Sequence, residues 1–308
     1  MVEVFKAVVE TSRPRQWLKN LVLFAGLIFS GRLAEWRLVG RVLAATAVFS
    51  LLTSSIYLFN DVWDAPADRR HPLKKERPVA SGRLPVPLAL FFSLSGMIAA
   101  LFLMVQFGWF FFWVGAGYLI LHLAYTMFLK QVPIVDVMAI AAGFVLRVYA
   151  GAVVVNVHIN VWLLLCVISF ALFLAVGKRR SELTLLKGRA ASRTVLKRYS
   201  ETVLNIYISM FATATWLTYG LFTFIHPPIV PHRKRLAELF LFLPKTFYSQ
   251  KLLMLTVPLV IYGVMRYLQL IYEREEGESP EKVLLSDKPL MATVIVWGLL
   301  VIGVIYVV

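Results

Sequence analysis

The whole chain holds one cysteine, Cys166. That excludes a disulfide within the chain and any metal site built on thiolates. Acids are scarce too: 17 Asp and Glu stand against 32 Lys and Arg, for a formal net charge of +15. Charged residues make up only 16% of the chain while 59% is hydrophobic. A soluble globule of this length cannot hide that much apolar surface. The sequence contains no Gly-x-Ser-x-Gly elbow, no Walker loop and no dinucleotide fingerprint, so the common hydrolase and nucleotide-binding folds drop out. The five histidines lack ligand spacing; His122 and His158 read as span-end residues rather than zinc ligands. No low-complexity tract and no internal repeat emerges.

What the chain does have is a succession of apolar runs, each about 18 to 23 residues long, the length of a membrane-crossing helix. They do not alternate with period two, which argues against a barrel. In hydrocarbon every backbone polar group needs an internal partner, so these runs must be helices. The fold class is therefore all-α, a polytopic membrane protein read as one transmembrane domain over 1–308. Nine spans are predicted, at 17–33, 38–59, 86–106, 109–128, 134–155, 161–177, 203–225, 252–272 and 290–308. The N-terminus is too polar for a cleavable signal peptide; Val4, Phe5, Val8 and Val9 read as one face of a short interfacial helix.

Lysine and arginine set the orientation. The N-terminus, the 61–85 segment, Lys130 and the 178–200 segment carry most of the cations, so this side is expected to be cytoplasmic, with the protein multi-pass in the cell (inner) membrane. Segment 226–251, with an apolar run from Leu239 to Leu243, reads as an interfacial helix on the outer face. The positive charge suits anionic lipid headgroups. Nucleic acid is not an expected partner, because no soluble domain exists to carry it. A homo-oligomer is compatible with the sequence.

Because acids are rare, their placement is informative. The second span ends in Asn60-Asp61-Val62-Trp63-Asp64-Ala65-Pro66-Ala67-Asp68. On a helix, Asn60, Asp64 and Asp68 form one stripe, and Pro66 should bend or end the helix. Carboxylate and amide oxygens suit Mg²⁺, which keeps waters and takes phosphate oxygens from a substrate. An EF-hand is excluded, since the turn glycine and the bidentate glutamate are missing. A row of carboxylates at a membrane boundary is costly without a partner, which argues against incidental acids.

Cations follow directly. Lys74 and Lys75 read equally well as an ordinary positive-inside loop, whereas Arg77, pinned before Pro78, is the better phosphate ligand. Lys130 follows the fourth span. In the fifth, Asp136, Ile140, Gly143 and Arg147 share one face. Arg147 lies about 16 Å beyond Asp136 at helical rise, where it must face a cavity or brace another helix. The sixth span closes on Gly177-Lys178-Arg179-Arg180-Ser181-Glu182-Leu183. Three consecutive cations point three ways, so not all reach one ligand. Lys178 and Glu182 are also spaced to pair with each other.

At these residues the sequence resembles the UbiA prenyltransferase superfamily. The motif Asn-Asp-x-x-Asp-x-x-x-Asp after helix two is met in full by Asn60, Asp61, Asp64 and Asp68. The nine-span count and the Tyr125/Lys130 segment also fit, and the likeness covers nearly the whole chain. The resemblance implies nine helices around a central cavity and Mg²⁺ held by Asn60, Asp61, Asp64 and Asp68, with Asp61, Asp64 and Asp68 catalytic. Gln16, Lys19, Arg77, Lys130, Arg147, Lys178, Arg179 and Glu182 are expected to bind substrate or phosphate. Within the superfamily the nearest branch moves phosphoribosyl groups. Its segments match Arg13 to Asn20, Asn60 to Pro85, Asp136 to Ala152, Gly177 to Leu183 and Glu278 to Asp287.

One departure bears on the choice of branch. Typical superfamily prenyltransferases carry a second Asp-x-x-x-Asp motif after helix six, where this chain has Lys178, Arg179, Arg180 and Glu182. Direct phosphate ligands thus replace metal ligands, which suits two phosphorylated substrates in one site. The expected reaction is Mg²⁺-dependent transfer of 5-phosphoribose from phosphoribosyl pyrophosphate to a polyprenyl phosphate. The alternative is a prenyl diphosphate donor with an aromatic or other small acceptor. A lipid-phosphate transporter would need inverted repeats or broken mid-membrane helices, and neither is seen.

Overall fold

The computed structural model describes residues 2–70, 74–185, 198–227, 251–273 and 280–306. The described residues within 2–158 and 198–199 form one compact unit, and those within 159–185 and 200–306 a second. All of their regular structure is helical.

In the first unit, α1 (Val2–Ser12) brings Ala7 into one buried cluster with Leu58 and Ala65, with Val4 and Val8 packed against it. Phe5 and Val9 point outward and are exposed, so the four residues expected on one face divide between two. Arg83 donates to both carboxylate oxygens of Glu10, at 2.9 and 3.1 Å. Those bonds tie α1 to the segment before α4 and push the Arg83 guanidinium further above its ordinary value.

The first expected span, 17–33, is not one continuous helix. Pro14–Leu23 winds as a 3₁₀ segment and passes into the short α2, Phe24–Phe29. Pro14 at the start of that segment supplies no backbone donor, and its polar residues are tied laterally. Asn20 donates to Ser50 at 2.9 Å and Trp17 to Ser54 at 2.9 Å. Glycine permits the close approach that follows: a Cβ on Gly151 would land inside the Leu23 carbonyl.

α3 (Trp36–Asp68) runs 33 residues, about 50 Å at helical rise. That exceeds a hydrocarbon core of about 30 Å, so one end must emerge from the apolar layer. Pro66 is accommodated inside the helix, which ends two residues later at Asp68. α4 (Val86–Val105) and α5 (Trp109–Met127) pack through small residues. Gly96 sits against Ser55, and Gly115 against Met104, the close approach that lipid-embedded helices favour. α6 (Val135–Val155) buries Ala139, Ala141, Gly143, Ala150, Gly151 and Ala152. It ends on Asn156 in the left-handed conformation, φ 53°, a residue type that tolerates this cap.

In the second unit, α7 (Val161–Leu185) and α8 (Glu201–Ile225) are joined in packing by α9 (Val257–Glu273), α10 (Pro280–Ser286) and α11 (Lys288–Tyr306). Ser200 caps α8 by accepting from the Val203 N–H at 3.2 Å. Asp287 caps α11 through the Leu290 N–H at 2.9 Å while Arg266 donates to both of its oxygens.

Among the described residues, eight helices are long and apolar enough to cross a membrane. They correspond to the second through ninth expected spans, and the first is the 3₁₀ segment run into α2. The chain is an all-helical, multi-pass membrane protein. The expected interfacial helix around 239–243 lies outside the described residues.

Candidate active site

The acidic motif occupies about the last two and a half turns of α3, and the fold brings a cation to each of its carboxylates. Asp61 is buried, 3% exposed. Arg13 Nη2 donates to its Oδ1 at 2.5 Å, and Arg77 Nη1 reaches the same oxygen at 3.3 Å. That Nη1 also donates to Asp68 Oδ2 at 2.7 Å, so one guanidinium nitrogen bridges two carboxylates seven residues apart, on one helix face. Asp64 accepts from Lys130 Nζ. Asn60 accepts from Thr126 Oγ1 at 3.2 Å. The stripe expected of Asn60, Asp64 and Asp68 is thus widened by Asp61.

Three backbone features place these cations. Arg13 sits between α1 and Pro14 with φ 52°, left-handed backbone that is uncommon outside glycine. Its guanidinium lies 5.0 Å from the centre of the Tyr57 ring. Arg77 follows the 3₁₀ turn Lys74–Glu76. Lys130 lies on another such turn, Leu129–Gln131, just before Ile134, whose φ is 69°. For a β-branched residue that is an outlier, and it is clamped from outside its helix. The Ile134 N–H donates to the Tyr199 hydroxyl at 2.5 Å, and that hydroxyl donates to the buried Asp136 at 2.8 Å.

Three further expected ligands, Gln16, Lys19 and Arg147, lie in the first unit. Lys19 Nζ donates to Gln16 Oε1 at 2.5 Å. Arg147 is buried; its Nε donates to Asn20 at 3.0 Å and its Nη2 to the Tyr118 hydroxyl at 2.5 Å. It also stacks over the Tyr118 and Phe144 rings. Of the two readings the sequence left open for Arg147, this geometry matches bracing. His122 is inside α5 rather than at its end; its buried Nε2 has no hydrogen-bond partner among the described residues.

Lys178, Arg179, Arg180 and Glu182 belong to the second unit. Glu182 pairs with Arg179 at 2.7 Å, one residue short of the spacing expected for Lys178, and Arg179 is fully buried. Arg180 braces helices: it donates to Asn205 at 2.9 Å and to the Ile271 carbonyl at 3.2 Å, and lies over Tyr272.

Sequence reasoning counted Arg13 among the positive-inside charges and missed it as a partner of Asp61. It also missed Thr126 on Asn60 and Tyr199 on Asp136. These pairs are separated by 48, 66 and 63 residues, so no spacing rule connects them. The one available signal was Pro14, which fixes the chain next to Arg13.

A metal ion fits this donor set. Asp61 and Asp68 already converge on one positive nitrogen, and hard oxygen ligands of this kind suit Mg²⁺. Among the described residues no three acidic, histidine or cysteine side chains form a ready-made cluster.

The UbiA prenyltransferase family model matches residues 21–286. The chain belongs to this family. It is 33% identical to the decaprenyl-phosphate phosphoribosyltransferase of Mycolicibacterium smegmatis, over 94% of this chain and 89% of that one. It is 30% identical to the enzyme of the same name from Corynebacterium glutamicum, over 97% and 86%. The fold matches a UbiA homologue from Archaeoglobus fulgidus, solved bound to GPP and Mg²⁺, with a TM-score of 0.66 and 18% identity. That match covers 97% of this chain and 99% of the other. Taken with its relatives, the chain is a UbiA-superfamily transferase.

Proposed function

We propose that this UbiA-family protein transfers 5-phosphoribose from phosphoribosyl pyrophosphate to a polyprenyl phosphate, with Mg²⁺, at the cytoplasmic face of the cell membrane. The proposed catalytic domain is the chain 1–308. The observation that carries the choice of branch is the near-full-length likeness to two decaprenyl-phosphate phosphoribosyltransferases. The site chemistry supports it: Arg13, Arg77 and Lys130 stand around the acidic motif, and Lys178 and Arg179 replace the second acidic motif of the superfamily's prenyltransferases.

In this reading Asp61, Asp64 and Asp68, with Asn60, hold the metal. Mg²⁺ supplies charge neutralisation of the leaving pyrophosphate when bound. Arg77 and Lys130 hold the donor phosphates, and Lys19 and Gln16 lie on the neighbouring 3₁₀ segment. Lys178 and Arg179 hold the second phosphorylated substrate, with Glu182 keeping Arg179 in place. The bond from ribose C1 to the pyrophosphate oxygen breaks as a new bond forms from C1 to an oxygen of the polyprenyl phosphate. Fixed cations favour the charge that develops on the leaving group. The attacking oxygen is ionised near neutral pH, so no general base is required. Arg147 serves here as a brace rather than a ligand.

The test is pyrophosphate release by purified protein. Release should require phosphoribosyl pyrophosphate, polyprenyl phosphate and Mg²⁺ together. Release from a prenyl diphosphate with an aromatic acceptor, and none from phosphoribosyl pyrophosphate, would establish the prenyltransferase alternative instead.

A further inference from the structure

We propose that Arg13 is an exchangeable cation of the site, held on Asp61 and transferred to the donor's diphosphate, so that metal and diphosphate bind this protein as a coupled pair. The inference rests on the reading above only in taking a diphosphate as the ligand.

The argument begins with charge. Asp61, Asp64 and Asp68 are held by three cations, Arg13 on Asp61, Lys130 on Asp64, and Arg77 shared between Asp61 and Asp68. A divalent ion entering among these carboxylates competes with cations the protein already supplies. At such separations like charges repel strongly where water is scarce, and Asp61 and Asp68 are buried. Metal alone therefore gains little. A diphosphate changes this balance, because it offers oxygens to each displaced cation, and an arginine fork matches phosphate as well as carboxylate. The ligand that helps the metal bind must be helped by the metal to the same degree.

Arg13 is the cation best suited to move. Arg77 spans two carboxylates through one nitrogen, whereas the only acid Arg13 holds among the described residues is Asp61. Its side chain is 28% exposed while that of Asp61 is 3%, so the arginine has an access to solvent that the carboxylate lacks. The Tyr57 ring gives it a surface to stack on as it turns. Its left-handed backbone at the junction of α1 and Pro14 is the kind of strain that gathers at functional sites.

The experiment is a Mn²⁺ titration of the full-length protein in nanodiscs, read as the Mn²⁺ that stays with the nanodiscs after separation from free solution, with and without inorganic pyrophosphate and against empty nanodiscs carrying the same pyrophosphate. Wild type should bind Mn²⁺ weakly alone and more tightly with pyrophosphate, by a factor on the order of 5–150. R13Q removes one of the two cations on Asp61, so it should bind Mn²⁺ alone more tightly than wild type, and pyrophosphate should add less. R13K keeps the charge and should leave the affinity for Mn²⁺ alone near wild type. R83Q removes a cation that pairs with Glu10 and should change neither value. Equal Mn²⁺ affinity with and without pyrophosphate in wild type would overturn the proposal, whatever the variants do. So would weaker Mn²⁺ binding by folded R13Q. Pyrophosphate is common to both donor classes, so coupling without phosphoribosyl transfer would refute only the proposed reaction. Transfer without coupling would refute only the role of Arg13.

Discussion

At the scale of single residues, scarcity makes the site readable. With 17 acids in 308 residues, Asp61, Asp64 and Asp68 on one helix end stand out from the sequence by themselves. Their partners do not, because Arg13, Arg77 and Lys130 sit among many positive-inside charges and only the folded chain selects them. Asp64→Ala and Asp68→Ala are each expected to abolish turnover while the protein stays folded, because the metal's charge on pyrophosphate is lost. The paired measurement is product formation and thermal unfolding in detergent; full activity in either variant, or in excess chelator, contradicts the metal assignment. Arg147 separates two roles. If it braces, Arg147→Ala leaves Asn20 and the Tyr118 hydroxyl short of partners, at about 1–3 kcal/mol for each buried group left unsatisfied. The melting temperature should fall, with little change in KM for the donor below it. A raised KM at unchanged melting temperature would make Arg147 a ligand.

At the scale of elements, the long helices were legible because apolar length alone decides them. The segment 17–33 was not, since its polar residues point inward to partners on α3 and α6 that hydropathy cannot see. Asn20 meets Ser50 and Arg147 there, and the Leu23 carbonyl lies on Gly151. That contact yields a contrast between two glycines. Gly151→Val should push α6 off the 3₁₀ segment and destabilise by at least the 1–3 kcal/mol roughly expected of overpacking. Gly117→Ala meets nothing within 4 Å and should be neutral. Thermal unfolding of both variants measures the difference, and a Gly151→Val protein as stable as wild type would show that the approach of Leu23 is not tight.

At the scale of the whole molecule, orientation follows from charge. The 61–85 and 178–200 segments are expected on the same side as the N-terminus. Single cysteines at positions 70 and 190 in a Cys166→Ser background should be labelled by an impermeant thiol reagent from the same side. Labelling from opposite sides would break the span order. The nearest branch of the family was legible from motifs spread along the chain, whereas the pairing of Arg179 with Glu182 required the folded helix. The reaction itself is decided by following two labels at once, one in the ribose of phosphoribosyl pyrophosphate and one in a prenyl diphosphate, with polyprenyl phosphate and an aromatic acceptor both present. The ribose label should pass into the lipid phase in a Mg²⁺-dependent way, and the prenyl label should remain on its diphosphate. A protein that leaves the ribose label in water and moves the prenyl group to the acceptor would contradict phosphoribosyl transfer.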